Sequence, residues 1–452
     1  MTGPRRIAVV DIGKTNAKLA LVDLATCTEV AVVTRPNTVL PGPPYPHFDT
    51  EGHWAFLLDA LRDMHRDHGI DAISVTTHGA AGALLDGQGG LAAPILDYEH
   101  TYPEDTVAAY DALRPGFATT GAPRLSGGLN LGAQIHYQIT RDPGLRDRIA
   151  SVVTYPQYWG HRLTGQVACD VTSIGCHTDL WAPRDGRLSD LAATLGLAGR
   201  IAPVRKSTDI LGPVLPEIAA RTGLLPGTPV AVGIHDSNAS LYPYIRSHPA
   251  PFSVVSTGTW VIVMSVGGAQ TALDPDRDIL LNVDATGAPV PSARFMGGRE
   301  YEIVRDGTDT PVTDTDLTSA LDGPMLLPSV APGTGPFPDH TARWTRTEPA
   351  PGTPARAAAL SLYLALMTDT CLRLTGAAGD VIVEGPFARN IPYLRALAAL
   401  TGRPVHAAAS ATGTSIGAAL LFAADPAPPA LAPAAEPLPG MDTYAARWHA
   451  AL

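Results

Sequence analysis

Apolar residues fall in short unbroken runs and in helical stripes that alternate along the chain. The clearest run is Ile7-Ala8-Val9-Val10, which a six-residue polar turn with a central glycine, Asp11 to Asn16, separates from the second run Ala17 to Val22. Two such runs around a glycine turn predict a hairpin of buried strands. Phe252 to Ser265 repeats the order strand, Gly/Thr turn, strand, with Ser256-Thr257-Gly258-Thr259-Trp260 at the turn. Between and after these hairpins the pattern switches period. Trp54, Leu57, Leu58, Leu61 and Met64 keep helical spacing behind a cap at Thr50, and Ala72 to Thr77 reads as a buried strand. Tyr155 to Leu163 predicts a helix stopped by Thr164-Gly165, and Val230 to Ile234 a strand running into a helix start at Asp236. A long core helix runs from Thr353-Pro354 to Gly376, followed by the strand Asp380 to Val383 and a helix ending at Thr401-Gly402. Strands alternating with helices make this an α/β chain.

The polar groups at the ends of these runs are the candidate chemistry. At the first turn Gly13 lets backbone N–H groups approach an anion, Thr15 and Asn16 add side-chain donors, Lys14 adds charge, and Asp11 can hold a hydrated cation. That set suits a nucleoside triphosphate carrying magnesium, and an ordinary tight hairpin would use the same residues. Thr77, His78 and Gly79 stand at the carboxyl end of a strand, where ligands of α/β folds gather. His235-Asp236 follows a buried strand; an Asp there serves equally as a helix N-cap.

Length and charge narrow the classes. A chain of 452 residues exceeds one ordinary core, which predicts two domains. The formal net charge of −11 argues against nucleic acid or an anionic membrane as partner, since both require a basic face. Only Lys14, Lys18 and Lys206 are lysines among the 32 basic residues, and two of the three flank the first turn. Where arginine is the default cation, that placement marks a wanted point charge. The four cysteines form no CxxC pair and read as free thiols in a reducing compartment. With a strand beginning almost at the N-terminus and no run read as membrane-spanning, the expected location is cytoplasmic.

The paired glycine turns, together with His235-Asp236-Ser237-Asn238-Ala239-Ser240 and Ser256-Thr257-Gly258-Thr259-Trp260, resemble the FGGY-type carbohydrate kinases of the actin, hexokinase and Hsp70 superfamily. The motifs come nearest to L-rhamnulokinase-like and L-fuculokinase-like members. The resemblance implies two actin/hexokinase-like (ribonuclease H-like) domains with mixed sheets flanking an interdomain cleft, 1–243 carrying sugar and the first phosphate hairpin, 244–452 the second hairpin and the adenosine site. It implies ATP and Mg²⁺ as cofactors, Asp236 as catalytic base, and a sugar pocket formed by Thr77, His78, Gly79, Gln157, His235 and Asp236, with Tyr98 as a pocket wall. Asp11 would hold Mg²⁺ through water. Gly13, Lys14, Thr15, Asn16, Thr257, Gly258 and Thr259 would hold phosphates, and Gly297, Glu302, Gly385 and Asn390 would serve the nucleotide side.

Two departures from the family pattern stand out. Glu384 and Pro386 replace glycines of the adenosine loop, and His78 stands where rhamnulokinases carry tryptophan. Replacing a flat apolar wall with a smaller, hydrogen-bonding ring relaxes the grip on an apolar 6-methyl group and favours a hydroxyl. The implied activity is transfer of a phosphoryl group from ATP to a small ketose: a 6-deoxyketohexose such as L-rhamnulose or L-fuculose, or a pentulose. The competing reading is a non-catalytic nucleotide-dependent clamp or a sugar-sensing regulator. Partners are then a small sugar and ATP, with a homodimer left open.

Overall fold

A computed structural model describes residues 3–409 and 413–452. The chain forms two compact units. The first takes the chain up to Ser247 and then receives Leu281–Pro289 and a late segment ending at Pro428; the second begins at His248 and finishes with Pro429–Leu452. The division therefore differs from a single cut near 243. The two returning segments are short and carry no compositional mark.

In the first unit, β1 (Arg6–Ile12) and β2 (Asn16–Asp23) pair antiparallel from Arg6↔Asp23 to Ile12↔Ala17, the expected hairpin. β3 (Thr28–Pro36) extends it, and β4 (Ala72–Thr77) lies parallel to β1. β5 (Ile210–Pro213), β6 (Pro229–Ala231) and β7 (Ile234–His235) complete a seven-stranded mixed sheet in the order β5-β6-β4-β1-β2-β3, with β7 also on β4. The run 230–234 is thus two strands, not one. Gly233 has φ +96°, and a Cβ there would stand 2.6 Å from the carbonyl oxygen of Val75, so only glycine lets the strand break and resume against β4. The break places His235 opposite Thr77.

Helix α1 (Thr50–His68) starts one residue earlier than expected, because Asp49 rather than Thr50 caps it by accepting from the Gly52 amide. Helix α2 (Tyr155–Thr164) stops at Gly165 in the left-handed conformation, as its Thr-Gly pair predicts. Its aromatics Tyr155, Tyr158 and Trp159 are buried in the core of this unit. Helix α3 (Asp236–Ser247) begins directly after β7.

The second unit repeats the plan. β8 (Phe252–Thr257) and β9 (Val261–Val266) form an antiparallel hairpin, β10 (Asp380–Glu384) lies parallel to β8, and β11 (Val405–Ala407) lies parallel to β10. Helix α4 is Gly297–Arg305. Helix α5 (Pro354–Leu374), capped by Thr353, is long and apolar enough to cross a membrane, but 83% of its apolar window is buried inside the fold. It is a core helix. Helix α6 is Ile391–Thr401, capped by Asn390.

Helix α7 (Gly413–Ala419) belongs to the first unit and packs on α3, where a Cβ on Gly417 would meet the Ala239 carbonyl oxygen at 1.7 Å. The small residues expected to allow close packing do so from Gly413 onward; Ala411 and Thr412 lie outside the described residues.

Candidate active site

β1, β4 and β7 run parallel and side by side, with Ile12 opposite Thr77 and Thr77 opposite His235. The residues that follow them, Gly13, His78 and Asp236, therefore share one lip of the sheet, at the carboxyl ends where α/β folds bind ligands. Asp236 is the first residue of α3 and its side chain is 35% exposed. Its Oδ1 accepts from the Ser237 amide at 2.6 Å and lies 3.2 Å from Nε2 of His235. The carboxylate thus caps its own helix start and still faces outward beside an imidazole.

His235 is held from behind. Its amide donates to Thr172 Oγ1 at 2.9 Å, and that hydroxyl donates to Asp170 at 2.6 Å. Asp170 is fully buried and also accepts from the Ser173 amide and hydroxyl and from the Ser207 hydroxyl. Gly79 passes close to the ring, since a Cβ there would stand 2.6 Å from His235 Nε2. Burial disfavours the His235 cation, but Cys176 and Asp236 outweigh it and raise the imidazole to about 9. Burial likewise opposes ionisation of the Cys176 thiol, and His177 and His235 overcome it, so that the thiol is held below its ordinary value.

The folded chain keeps on His235 a proton that the unfolded chain releases near the ordinary histidine value, so this stabilisation is complete below about 6.5 and is lost as pH rises through about 9. Activity is expected to fall over the same alkaline limb. Removing the thiol in Cys176→Ala takes away the leading cause that raises His235, so the limb of the kcat profile should move toward neutrality. A limb that stays in place in this variant would show that Cys176 does not hold the proton.

His78 is buried, and its Nδ1 lies 2.7 Å from the Gly79 carbonyl oxygen. A carbonyl only accepts, so Nδ1 carries the proton and the neutral ring leaves Nε2 as an acceptor. That Nε2 has no partner among the described residues. Burial pulls His78 below its ordinary value, and Lys14 and His235 add to the effect. The ring packs against Phe48, Tyr98 and Tyr155 at centroid distances of 5.2, 5.3 and 5.1 Å. Tyr98, expected as a pocket wall, packs edge-on against the His78 ring; Phe48 and Tyr155 had no motif to mark them.

Asp11, the penultimate residue of β1, stands beside its cross-strand neighbour Lys18 at 3.3 Å. Burial, with a contribution from Asp236, raises its carboxyl to about 6 against the pull of Lys18. Thr15 and Asn16 are exposed at the turn, which Asn37 braces by donating its amide to the Thr15 carbonyl oxygen and its side chain to that of Gly13.

Four expected site residues stand differently from expectation. Lys14 is not a free donor at the turn: its Nζ meets Asp97 and lies 3.2 Å from Glu99, above the Tyr98 ring at 4.6 Å. Gln157 is fully buried and donates to the Val232 carbonyl oxygen while its own Oε1 takes the Thr154 hydroxyl, so it ties α2 to the sheet. Thr77 is fully buried, its hydroxyl given to the His78 carbonyl oxygen. Thr257 donates to the Glu384 carbonyl oxygen and accepts from the Phe387 amide, which staples β8 to β10. Each is a polar residue beside a ligand-type motif, and sequence alone does not show which way its side chain is spent.

In the second unit, Gly258 and Thr259 are exposed at the β8–β9 turn. With Gly298, Arg299, Tyr301, Glu302, Phe387 and Asn390 they line a cavity of about 440 Å³. Tyr301, Pro386 and Asn390 also border a neighbouring cavity of about 460 Å³. Gly298 is needed for close approach, because a Cβ there would stand 2.0 Å from the Gly258 carbonyl oxygen. Gly385 has φ +82°, and a Cβ on it would stand 2.0 Å from the Thr257 carbonyl oxygen. Gly297 packs on Val261 and Phe295 as part of the core, and Glu302 pairs with Arg305 at 2.7 Å on the cavity rim. Asn390 caps α6 and bonds Ser361 at the cavity edge.

Two like units, each with a glycine hairpin at the lip of a mixed sheet, and in the first a carboxylate at a helix start, are the architecture of a two-domain sugar kinase. The chain belongs to the FGGY family of carbohydrate kinases: residues 6–242 match the model of the N-terminal domain of that family, and residues 249–430 the model described as carbohydrate kinase FGGY, C-terminal domain. It is a carbohydrate kinase with the two-domain actin/hexokinase-like fold. It is similar to a carbohydrate kinase from Novosphingobium aromaticivorans, at 38% identity and a TM-score of 0.91 over 100% of this chain and 99% of that one. It is 24% identical to an L-fuculokinase from Salmonella typhi over 347 residues, covering 72% of this chain and 71% of the relative. A xylulose kinase from Rhodospirillum rubrum shares the fold at 21% identity and a TM-score of 0.79, covering 99% of this chain and 98% of that one.

Proposed function

We propose that the chain transfers the γ-phosphoryl group of ATP to the C1 hydroxyl of a small ketose, either a 6-deoxyketohexose such as L-rhamnulose or L-fuculose or a pentulose, with Asp236 as general base. The observation that carries this reading is the partly exposed Asp236 carboxylate beside His235, on the same sheet lip as Nε2 of His78, which has no partner among the described residues. The ketose hydroxyl gives its proton to Asp236, its oxygen bonds to the γ-phosphorus, and ADP leaves with the bridging oxygen. His235 holds the Asp236 carboxylate in place. His78 accepts a hydrogen bond from a sugar hydroxyl, and Phe48, Tyr98 and Tyr155 wall the sugar.

Thr15, Asn16 and the Gly13 backbone in the first unit, and Gly258 and Thr259 in the second, are the groups assigned to phosphates. Gly298, Glu302, Asn390 and the Gly385 bend shape the nucleoside side. Asp11 fits a cation carried by phosphates: among the described residues no three ligating side chains cluster, and one carboxylate suffices only when water completes the shell. Magnesium held there would supply neutralising charge to the phosphates.

L-fuculokinase and xylulose kinase among the relatives support a ketose acceptor. The clamp reading uses the same hairpins but has no need for a carboxylate beside a sugar loop. A coupled ADP-release assay over ketoses, polyols and glycerol tests the choice of acceptor. Ketoses should lead by kcat/KM. Glycerol outperforming every ketose would refute the assignment of the pocket while leaving a kinase.

A further inference from the structure

Resting on that reading, we propose that Lys14 and Asp97 together read the far end of the ketose, so that of the two acceptor classes named above the pentulose, which ends in a hydroxymethyl group, is preferred, and a 6-deoxyketohexose is taken less well than its own hydroxymethyl counterpart. Lys14 follows the strand next to the one that leads into His78, and its ammonium sits 4.6 Å from the Tyr98 ring centre and 5.4 Å from that of Phe48. Both rings pack on His78. These groups therefore follow one another along the lip from Asp236 and His235 through His78 to Lys14.

An ammonium has three donors, and Asp97 and Glu99 take two of them. Oδ1 of Asp97 receives Lys14 and the Glu99 amide, while Oδ2 has no partner among the described residues. Asp97 is 6% exposed and the Lys14 side chain 23%, so the third ammonium proton and the second carboxylate oxygen keep only limited contact with solvent. A hydroxyl both accepts and donates, and satisfies the two at once. A methyl group does neither and would seal them off from water, which a polar site rejects more strongly than an apolar pocket rejects an extra hydroxyl. Two carboxylates against one ammonium leave this end net negative, which also disfavours a sugar acid.

Matched pairs differing only at the last carbon test the proposal: L-tagatose against L-fuculose, and L-fructose against L-rhamnulose. Wild-type enzyme is expected to favour the hydroxymethyl member by kcat/KM on the order of 10- to 100-fold. Lys14→Met and the isosteric Asp97→Asn should each bring the ratio toward unity with KM for ATP unchanged; Asp97→Asn preserves shape should Lys14→Met fail to fold. A wild-type preference for the deoxy member overturns the proposal. So does a Lys14→Met enzyme that keeps the ratio and instead raises KM for ATP, which would make Lys14 a phosphate ligand. If no ketose is phosphorylated, the ketose reading falls with it; if ketoses react with the wrong ratio, only this inference falls.

Discussion

Replacing Asp236 with asparagine is expected to leave the fold and ATP binding in place and to lower kcat on the order of 10²- to 10⁴-fold, the usual cost of a missing general base. The amide keeps the size of the carboxylate, and its oxygen can still accept from the Ser237 amide that Oδ1 now takes at 2.6 Å, so the start of α3 has no reason to unwind. What disappears is the acceptor for the sugar proton and the charge that His235 faces at 3.2 Å. Turnover and nucleotide affinity measured on the same preparation separate these effects. Near-normal turnover in a folded Asp236→Asn enzyme would remove Asp236 from the chemistry and return it to the role of helix cap.

The second large effect is expected in the other unit, at Gly298. A methyl group there would stand 2.0 Å from the Gly258 carbonyl oxygen, and both atoms belong to backbone that cannot swing away as a side chain can. Either α4 or the β8–β9 turn must shift by an ångström or more. Displacements of that size at a positioning group cost on the order of 10²-fold, so Gly298→Ala should lower kcat/KM for ATP by about that factor. The sugar-side groups belong to the first unit, and KM for the ketose should hardly change. Binding of a fluorescent ATP analogue, read alongside a thermal melt, checks the cause. An intact ATP response in a variant that melts normally would show that the turn at 258–259 does not hold the nucleotide.

How much of this was legible in the chain depended on whether a residue's partner is near in sequence. Both hairpins, the capped core helix at 354–374 and the helix stop at Gly165 follow from local pattern and turn chemistry. His235-Asp236 was visible as a strand delivering a pair to a helix start. The split of that strand was not, because the clash that requires Gly233 is with Val75, far off in the chain. Gln157 and Thr257 looked available because nothing near them in sequence accepts their hydrogen bonds; the Val232 and Glu384 carbonyl oxygens do. Lys14 is the clearest case. Its place beside Gly13 suggested phosphate, while the carboxylates that hold it lie 83 and 85 positions away (97 minus 14 and 99 minus 14) in a tract whose only marked residue was Tyr98.

The claim at the centre is that the lip carrying Asp236 directs a phosphoryl group onto a ketose rather than onto water. The ³¹P NMR spectrum of a reaction containing ATP, magnesium and a reacting ketose tests it most directly. The expected spectrum shows ADP and a phosphomonoester split by two methylene protons, with its carbon neighbour assigned to C1. A spectrum with ADP and inorganic phosphate alone, or with the ester on a ring-forming secondary carbon, would contradict it.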